Sequence, residues 1–262
     1  MPIAWEHAMS RERTAGEVGA TTPRPSSDPP ARRHPGDVVR IVMGMAAMAA
    51  SAFAARRHRP GSAETDMFRL VNELPEGLSF PLRLLMQAGS VGALPVTVAL
   101  ALLARRPRLA RDMGVAGMVA WLTAKAMKVV VDRGRPGGLL DSVTVRGVEA
   151  HDLGFPSSHA AIAAALAASA SPYFGRRARG VLTGAALTVA FARMYVGAHL
   201  PADVLGGLAL GWVVGSGVHL AWGRPDDPRA AQLLREALGR HGIEVTEAVP
   251  LTADARRSSP FS

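Results

Sequence analysis

Phe191–Asp203 reads FARMYVGAHLPAD and joins two long apolar runs, VLTGAALTVA (181–190) before it and VLGGLALGWVVGSGVHLAW (204–222) after it. Arg193, His199 and Asp203 therefore stand where two apolar segments meet. Charged side chains are expensive inside a bilayer, and where they occur they face a protein interior or a water-filled cavity. Pro201 suits the first turn of a helix, because its missing N–H would find no partner there. His199 and Asp203 are four residues apart, close enough for the carboxylate to accept one imidazole N–H. Such a bond fixes the tautomer and leaves the second ring nitrogen as a base or nucleophile. The plainer alternative is a His–Asp pair that only holds the junction together.

Working outward, the chain has 262 residues, 48% of them hydrophobic and 5% aromatic. The apolar residues gather into six runs near the bilayer-crossing length of about 20 residues. These are Val38–Ala55, Pro81–Ala104, Met113–Val131, Ser158–Tyr173, Val181–Val196 and Ala202–Trp222. The expected fold is all-α: a six-span transmembrane helix bundle over 38–222, preceded by a disordered tail (1–37) and followed by a small soluble appendage (223–262). The tail carries six prolines and no apolar stretch of the kind found in a signal peptide. In the appendage, Pro228–Gly242 reads as an amphipathic helix and Ile243–Val249 as a strand, too little to bury a core. The short segment Asp66–Leu74 is expected at the membrane interface.

The net charge is +9, from 30 Lys+Arg against 21 Asp+Glu. Much of the excess lies in short arginine clusters between apolar runs, which points to membrane topology and not to a nucleic-acid partner. RRPRLARD (105–112) and GRRARG (175–180) fall on one side of a six-span arrangement, together with both termini, and that side is expected to be cytoplasmic. Arg56, Arg57 and Arg59 run against this bias, although four acids follow them before Pro81. The expected location is the plasma membrane, with the polar junctions on the extracytoplasmic face. With no cysteine, disulfides and thiolate chemistry are ruled out. Gly207, Gly211 and Gly215 repeat every four residues, as do Gly180 and Gly184, spacings that let a neighbouring helix approach closely.

Two more segments reach the same face. KVVVDRGRP (128–136) carries Lys128 and Arg135 across a bend implied by Gly134 and Pro136. FPSSHAAIAAALAASA (155–170) places Ser157 as a helix N-cap and His159 in the first turn, where free backbone N–H groups make an anion site. Each has a bland reading, interfacial snorkelling for the cations and a chance helix-start histidine. Together they suit a phosphate group: cations and amides neutralise its oxygens, one histidine attacks phosphorus and the other protonates the leaving oxygen. Zinc bound by His159, His199 and Asp203 is disfavoured, since three nearby cations would repel it and no clustered carboxylates compensate.

In this order and spacing, the segments resemble the type 2 phosphatidic acid phosphatase family, which includes the vanadium haloperoxidases. Its pattern KxxxxxxRP, PSGH and SRxxxxxHxxxD is met by Lys128-x6-Arg135-Pro136, Pro156-Ser157-Ser158-His159 and Ala192-Arg193-x5-His199-x3-Asp203. The resemblance implies His199 as the nucleophile forming a phosphohistidine, Asp203 as its orienting partner, and His159 as acid and then base. It implies Lys128, Arg135 and Arg193 as phosphate ligands, aided by Ser157 and the amide of Ser158, with no metal and no cofactor. Ser158 stands where the family has Gly, and Ala192 where it has Ser. The apolar spans favour the membrane lipid phosphatases over the soluble haloperoxidases. The expected substrate is a lipid phosphate or diphosphate met in the bilayer, polyprenyl diphosphate being favoured. Phosphatidic acid or phosphatidylglycerol phosphate is the alternative, and a non-catalytic lipid-phosphate binder or transporter is the alternative of another class. The sequence leaves the oligomeric state open.

Overall fold

A computed structural model describes residues 31–57, 59–147 and 153–225. The expected tail before Ala31 and the helix and strand expected after Pro225 lie outside the described residues. The last part of the tail expected over 1–37 is structured, since β1 holds Ala31–Arg32 and α1 begins at Pro35. The helices run in chain order as α1 (Pro35–Ala55), α2 (Ser62–Asn72), α3 (Ser79–Leu85), α4 (Ala93–Leu103), α5 (Pro107–Val131), α6 (Pro136–Leu139), α7 (Ser158–Ala170), α8 (Arg176–Tyr195) and α9 (Pro201–Trp222). Short 3-10 turns precede and follow α3 (Glu76–Leu78, Met86–Gly89), and another follows α7 (Ser171–Tyr173). Two residues on each side, β1 (Ala31–Arg32) and β2 (Arg224–Pro225), pair antiparallel and clasp the start of α1 to the end of α9.

All six apolar runs are helical, but they are unequal. Pro35–Ala55, the stretch Pro107–Leu139 that contains α5, and Pro201–Trp222 are long and apolar enough to cross a membrane. The second run is broken: Glu76–Gly89 and Ala93–Leu103 meet at 68° and qualify only as one bent span. Met86–Gly89 winds as a tighter turn and Ser90 is extended, so the helix expected over Pro81–Ala104 is interrupted there. α7 has 13 residues, about 20 Å at the α-helical rise, short of a hydrocarbon core of about 30 Å. α8 opens with Arg176, Arg177 and Arg179 and does not meet the apolar criterion alone.

α7 is the central helix, enclosed by α5, α8 and α9. Its run of alanines is nearly all buried, which suits a helix whose neighbours must come close on every side. The glycines of α9 supply the complementary face. A Cβ on Gly215 would stand 2.6 Å from the Ala168 methyl, and one on Gly211 would strike the Ala161 carbonyl and lie 2.6 Å from the Ala165 nitrogen. Gly207, Gly211 and Gly215 thus do what their spacing predicts. Gly180 and Gly184 do not: nothing described lies within 4 Å of a Cβ on either, because that face of α8 points away from the bundle. The outward surface is apolar, with Val42, Phe53, Leu103, Val129, Val181 and Leu205 more than half exposed. In water such a surface would be a liability, whereas lipid tails cover it.

Candidate active site

The start of the site is set by how α5 ends. Asp132 takes a left-handed conformation (φ 49°) and its amide bonds back to the Lys128 carbonyl, so the helix stops one turn after Lys128. Pro136 then opens α6, and Arg135 stands as its N-cap. Lys128 and Arg135 are therefore brought together by a bend, as Gly134 and Pro136 predict. The Lys128 ammonium donates to the carbonyls of Leu153 and Gly154, pinning the strand of chain that leads into α7. Arg135 Nη1 donates to the Ala198 carbonyl at 2.9 Å, beside His199.

α7 begins as the sequence predicts. Ser157 is extended, fully buried, and its hydroxyl accepts from the Ala160 amide at 3.5 Å. Its own amide donates to the Asp203 carbonyl at 2.9 Å, which joins the first turns of α7 and α9. His159 follows in the first turn, half-buried, with the Met86–Gly89 turn packed over its backbone. The Ser158 hydroxyl oxygen is buried and makes no hydrogen bond among the described residues.

The third segment folds back on Arg193. Its carbonyl accepts from the amides of both Ala198 and His199, at 3.1 and 3.2 Å, so the chain turns sharply after α8. Gly197 makes that turn with φ +76°, a conformation that side chains resist, and a Cβ there would stand 2.6 Å from the Thr144 carbonyl. The His199 imidazole is 2% exposed, with Nδ1 3.7 Å from Asp203 Oδ2. This exceeds a hydrogen bond, so the direct bond expected from the four-residue spacing is not closed. Asp203 is engaged elsewhere: Oδ2 accepts from the Leu200 amide at 2.9 Å and Oδ1 from Arg133 at 3.0 Å.

Burial, reinforced by the charges of Arg193, Arg135 and Lys128 and by His159, holds the His199 imidazole well below the ordinary histidine range. It is neutral at neutral pH. Those four groups are the ones singled out in the sequence, and their fields converge on this one ring. Among the described residues no three His, Cys, Asp or Glu side chains are grouped as ligands for one ion. A buried imidazole, a helix N-terminus and three cations make a setting that suits a tetrahedral oxyanion.

Two participants were missed in the sequence. Arg133 lies inside KVVVDRGRP, between the two cations that were noticed, and is 1% exposed. Its Nη1 and Nη2 donate to Glu64 at 3.0 and 2.7 Å, and Nη1 also reaches Asp203. Glu64 and Asp203 together answer its buried charge. Glu64 belongs to α2, whose first turn precedes the segment Asp66–Leu74 expected at the interface. Its Oε1 also accepts from the Ala202 amide at 3.1 Å, in the first turn of α9. No spacing rule links positions 64, 133 and 203; the only hint was an arginine in an apolar setting, which requires an acid.

α2 is secured at its far end as well. Asn72 donates to the carbonyls of Thr144 and Tyr195 and accepts from the Thr144 amide. Arg146 stacks on the Tyr195 ring at 4.1 Å and donates to the carbonyls of Asn72, Leu74 and Tyr195. α2 is thus a strap fixed over the site.

Residues 109–225, from early α5 to the end of the β clasp, match the model of the PAP2 superfamily. The matched stretch holds all three motifs, from Lys128 to Asp203, and over it the chain is similar to the type 2 phosphatidic acid phosphatases. Among solved structures it resembles LpxE of Aquifex aeolicus, at 23% identity and a TM-score of 0.57, over 60% of this chain and 95% of that one. It also resembles a transmembrane PAP2 type phosphatidylglycerolphosphate phosphatase from Bacillus subtilis, at 20% identity and a TM-score of 0.55, over 70% of this chain and 93% of that one. No curated protein matches the chain.

Proposed function

We propose that the protein is a membrane lipid phosphatase that works through a phosphohistidine. The observation that carries this reading is the convergence of Arg193, Arg135, Lys128 and His159 on the buried, neutral ring of His199. The His199 Nε2 lone pair attacks phosphorus in line with the scissile P–O bond. That bond breaks, and the leaving oxygen takes a proton from His159, which the negative charge of the bound phosphate holds as the imidazolium. A water, giving its proton back to His159, then attacks the phosphohistidine, releasing inorganic phosphate and restoring His199. Asp203, next to Nδ1, carries the compensating negative charge while the ring is positive. Lys128, Arg135, Arg193, the Ser157 hydroxyl and the backbone N–H groups at the start of α7 neutralise the equatorial oxygens. Each such donor is worth about a hundredfold in rate. The cations supply the neutralisation a metal would otherwise provide, so turnover persists in EDTA.

Counting the bent pair, α7 and α8 as spans gives six crossings, and the arginine-rich loops then support a reading with both termini in the cytoplasm and the site on the outer face. A lipid phosphate reaching that face by lateral diffusion is the substrate this topology favours. Polyprenyl diphosphate is our first choice, because outer-leaflet carrier recycling needs an outward site. The test is phosphate release from a panel in detergent micelles: polyprenyl diphosphate, phosphatidic acid and phosphatidylglycerol phosphate, with and without EDTA. Release from none of them overturns the assignment, and the fastest substrate settles the headgroup.

A further inference from the structure

We infer that Glu64, on the strap α2, is a positioning residue for the reaction, acting through Arg133 to fix Asp203 against His199. The inference deepens the reading of His199 as nucleophile and rests on it.

The argument starts from Asp203. A carboxylate next to an imidazole orients it only if its own rotation is blocked. Oδ2 is tied to the Leu200 amide in the first turn of α9, the arrangement of an acidic residue that reaches back to its helix cap. Oδ1 is tied to Arg133 Nη1. With both oxygens held, Oδ2 stays on the His199 side, 3.7 Å from Nδ1. Arg133 has a planar fork and cannot serve Asp203 in a fixed direction unless its other edge is also engaged. Glu64 engages it with both oxygens, and Oε1 holds the Ala202 amide one residue from Asp203. Glu64 therefore anchors Asp203 twice, through the guanidinium and through the backbone of α9.

Charge gives a second reason. Arg133 and Asp203 are both fully buried at the side chain, and Glu64 is 14% exposed. A guanidinium paired with Asp203 alone would cancel the carboxylate that must answer the positive ring of the phosphohistidine. Shared between two carboxylates, it leaves the group with a net negative charge at that moment. Glu64 touches none of the residues assigned to the phosphate. Its loss should therefore appear in the chemical step and not in substrate binding.

The experiment uses the full-length protein in micelles and the labelled lipid phosphate of the panel above that turns over fastest. Glu64→Gln, Arg133→Lys and the double variant are compared with the unaltered chain. Acid-quenched phosphohistidine, kcat, KM and the acid limb of kcat/KM are measured. Glu64→Gln keeps the size of the side chain and removes its charge, so folding is retained. It should lower kcat about tenfold, as a slight misplacement of a catalytic group does, with KM changed less than about twofold. Removing a negative charge near His199 should also move the acid limb to lower pH. Arg133→Lys loses the fork, and the double variant should be no slower than the slower single one, since both act through one path. Wild-type kcat and acid limb in Glu64→Gln, or additive losses in the double variant, would overturn the inference while phosphohistidine in the unaltered chain keeps the mechanism standing. If the unaltered chain forms no phosphohistidine, the mechanism fails first and the inference with it.

Discussion

The two ends of the helix bundle both bury charge, and they do so differently. At one end lie Lys128 near the close of α5, His159 at the start of α7 and Asp203 at the start of α9. At the other lie Asp37 at the start of α1, Asp112 near the start of α5 and His219 near the end of α9. The second end pairs its charges, although Asp37 Oδ2 has no hydrogen bond among the described residues. Asp112 accepts from Arg111 at 2.7 Å and from the Tyr173 hydroxyl at 2.7 Å. Asp37 faces Arg40 and Arg224, and the His219 ring meets the Ser169 carbonyl at 3.0 Å. At the first end, among the described residues, Lys128, Arg135 and Arg193 all act on His199, and His199 Nδ1 has no hydrogen bond. Buried groups normally find partners. An end whose acids meet their cations holds a fold together, whereas an end that gathers cations around a buried imidazole suits an anion.

The sharpest way to break this contrast is His199→Ala. Losing the nucleophile should reduce phosphate release by about 10⁴-fold or more, with binding of inorganic phosphate or vanadate retained. Unchanged release would mean the two ends do not differ in the way described. Arg193→Ala should cost about 3 kcal/mol in the transition state, about a hundredfold in kcat/KM. A loss below threefold would remove Arg193 from the phosphate ligands.

Titration separates the ends next. Because His199 is depressed well below the ordinary histidine value and acts as the free imidazole, protonation should inactivate it only well below pH 6.5. The acid limb of kcat/KM should lie in that acidic range. A limb at or above pH 6.5 would contradict the buried, cation-surrounded setting. The smallest effect on rate belongs to the far end. Asp112→Asn removes the charge that meets Arg111 and the acceptor of Tyr173, and should lower stability by about 1–3 kcal/mol. The folded fraction should keep its kcat and KM, measured after thermal unfolding is followed in the same micelles. A changed kcat would show that the two ends are coupled.

Particular residues mark how far the sequence could be read. Ser157 as cap, Pro201 at the first turn, the bend after Lys128 and the glycine face of α9 follow from local rules of backbone and side-chain size, and each stands where those rules put it. Gly180 and Gly184 obey the same spacing and face nothing described, because a repeat of small residues says that an approach is possible, not that a partner is there. The break in the second run was not legible either. MQAGSVGAL has the apolar content of a continuous span, and the turn at Met86–Gly89 is imposed by packing over the start of α7.

The sequence by itself determined which long apolar runs are helical and how α5 ends and α7 and α9 begin, since these depend on periodicity, caps and spacing within short stretches. Only the tertiary structure decided that Arg133 divides itself between Glu64 and Asp203, and that His199 stands 3.7 Å from its carboxylate. Those facts depend on where α2 crosses the bundle. A buried arginine in a low-dielectric interior takes whichever acids the fold brings within reach, however distant they are along the chain.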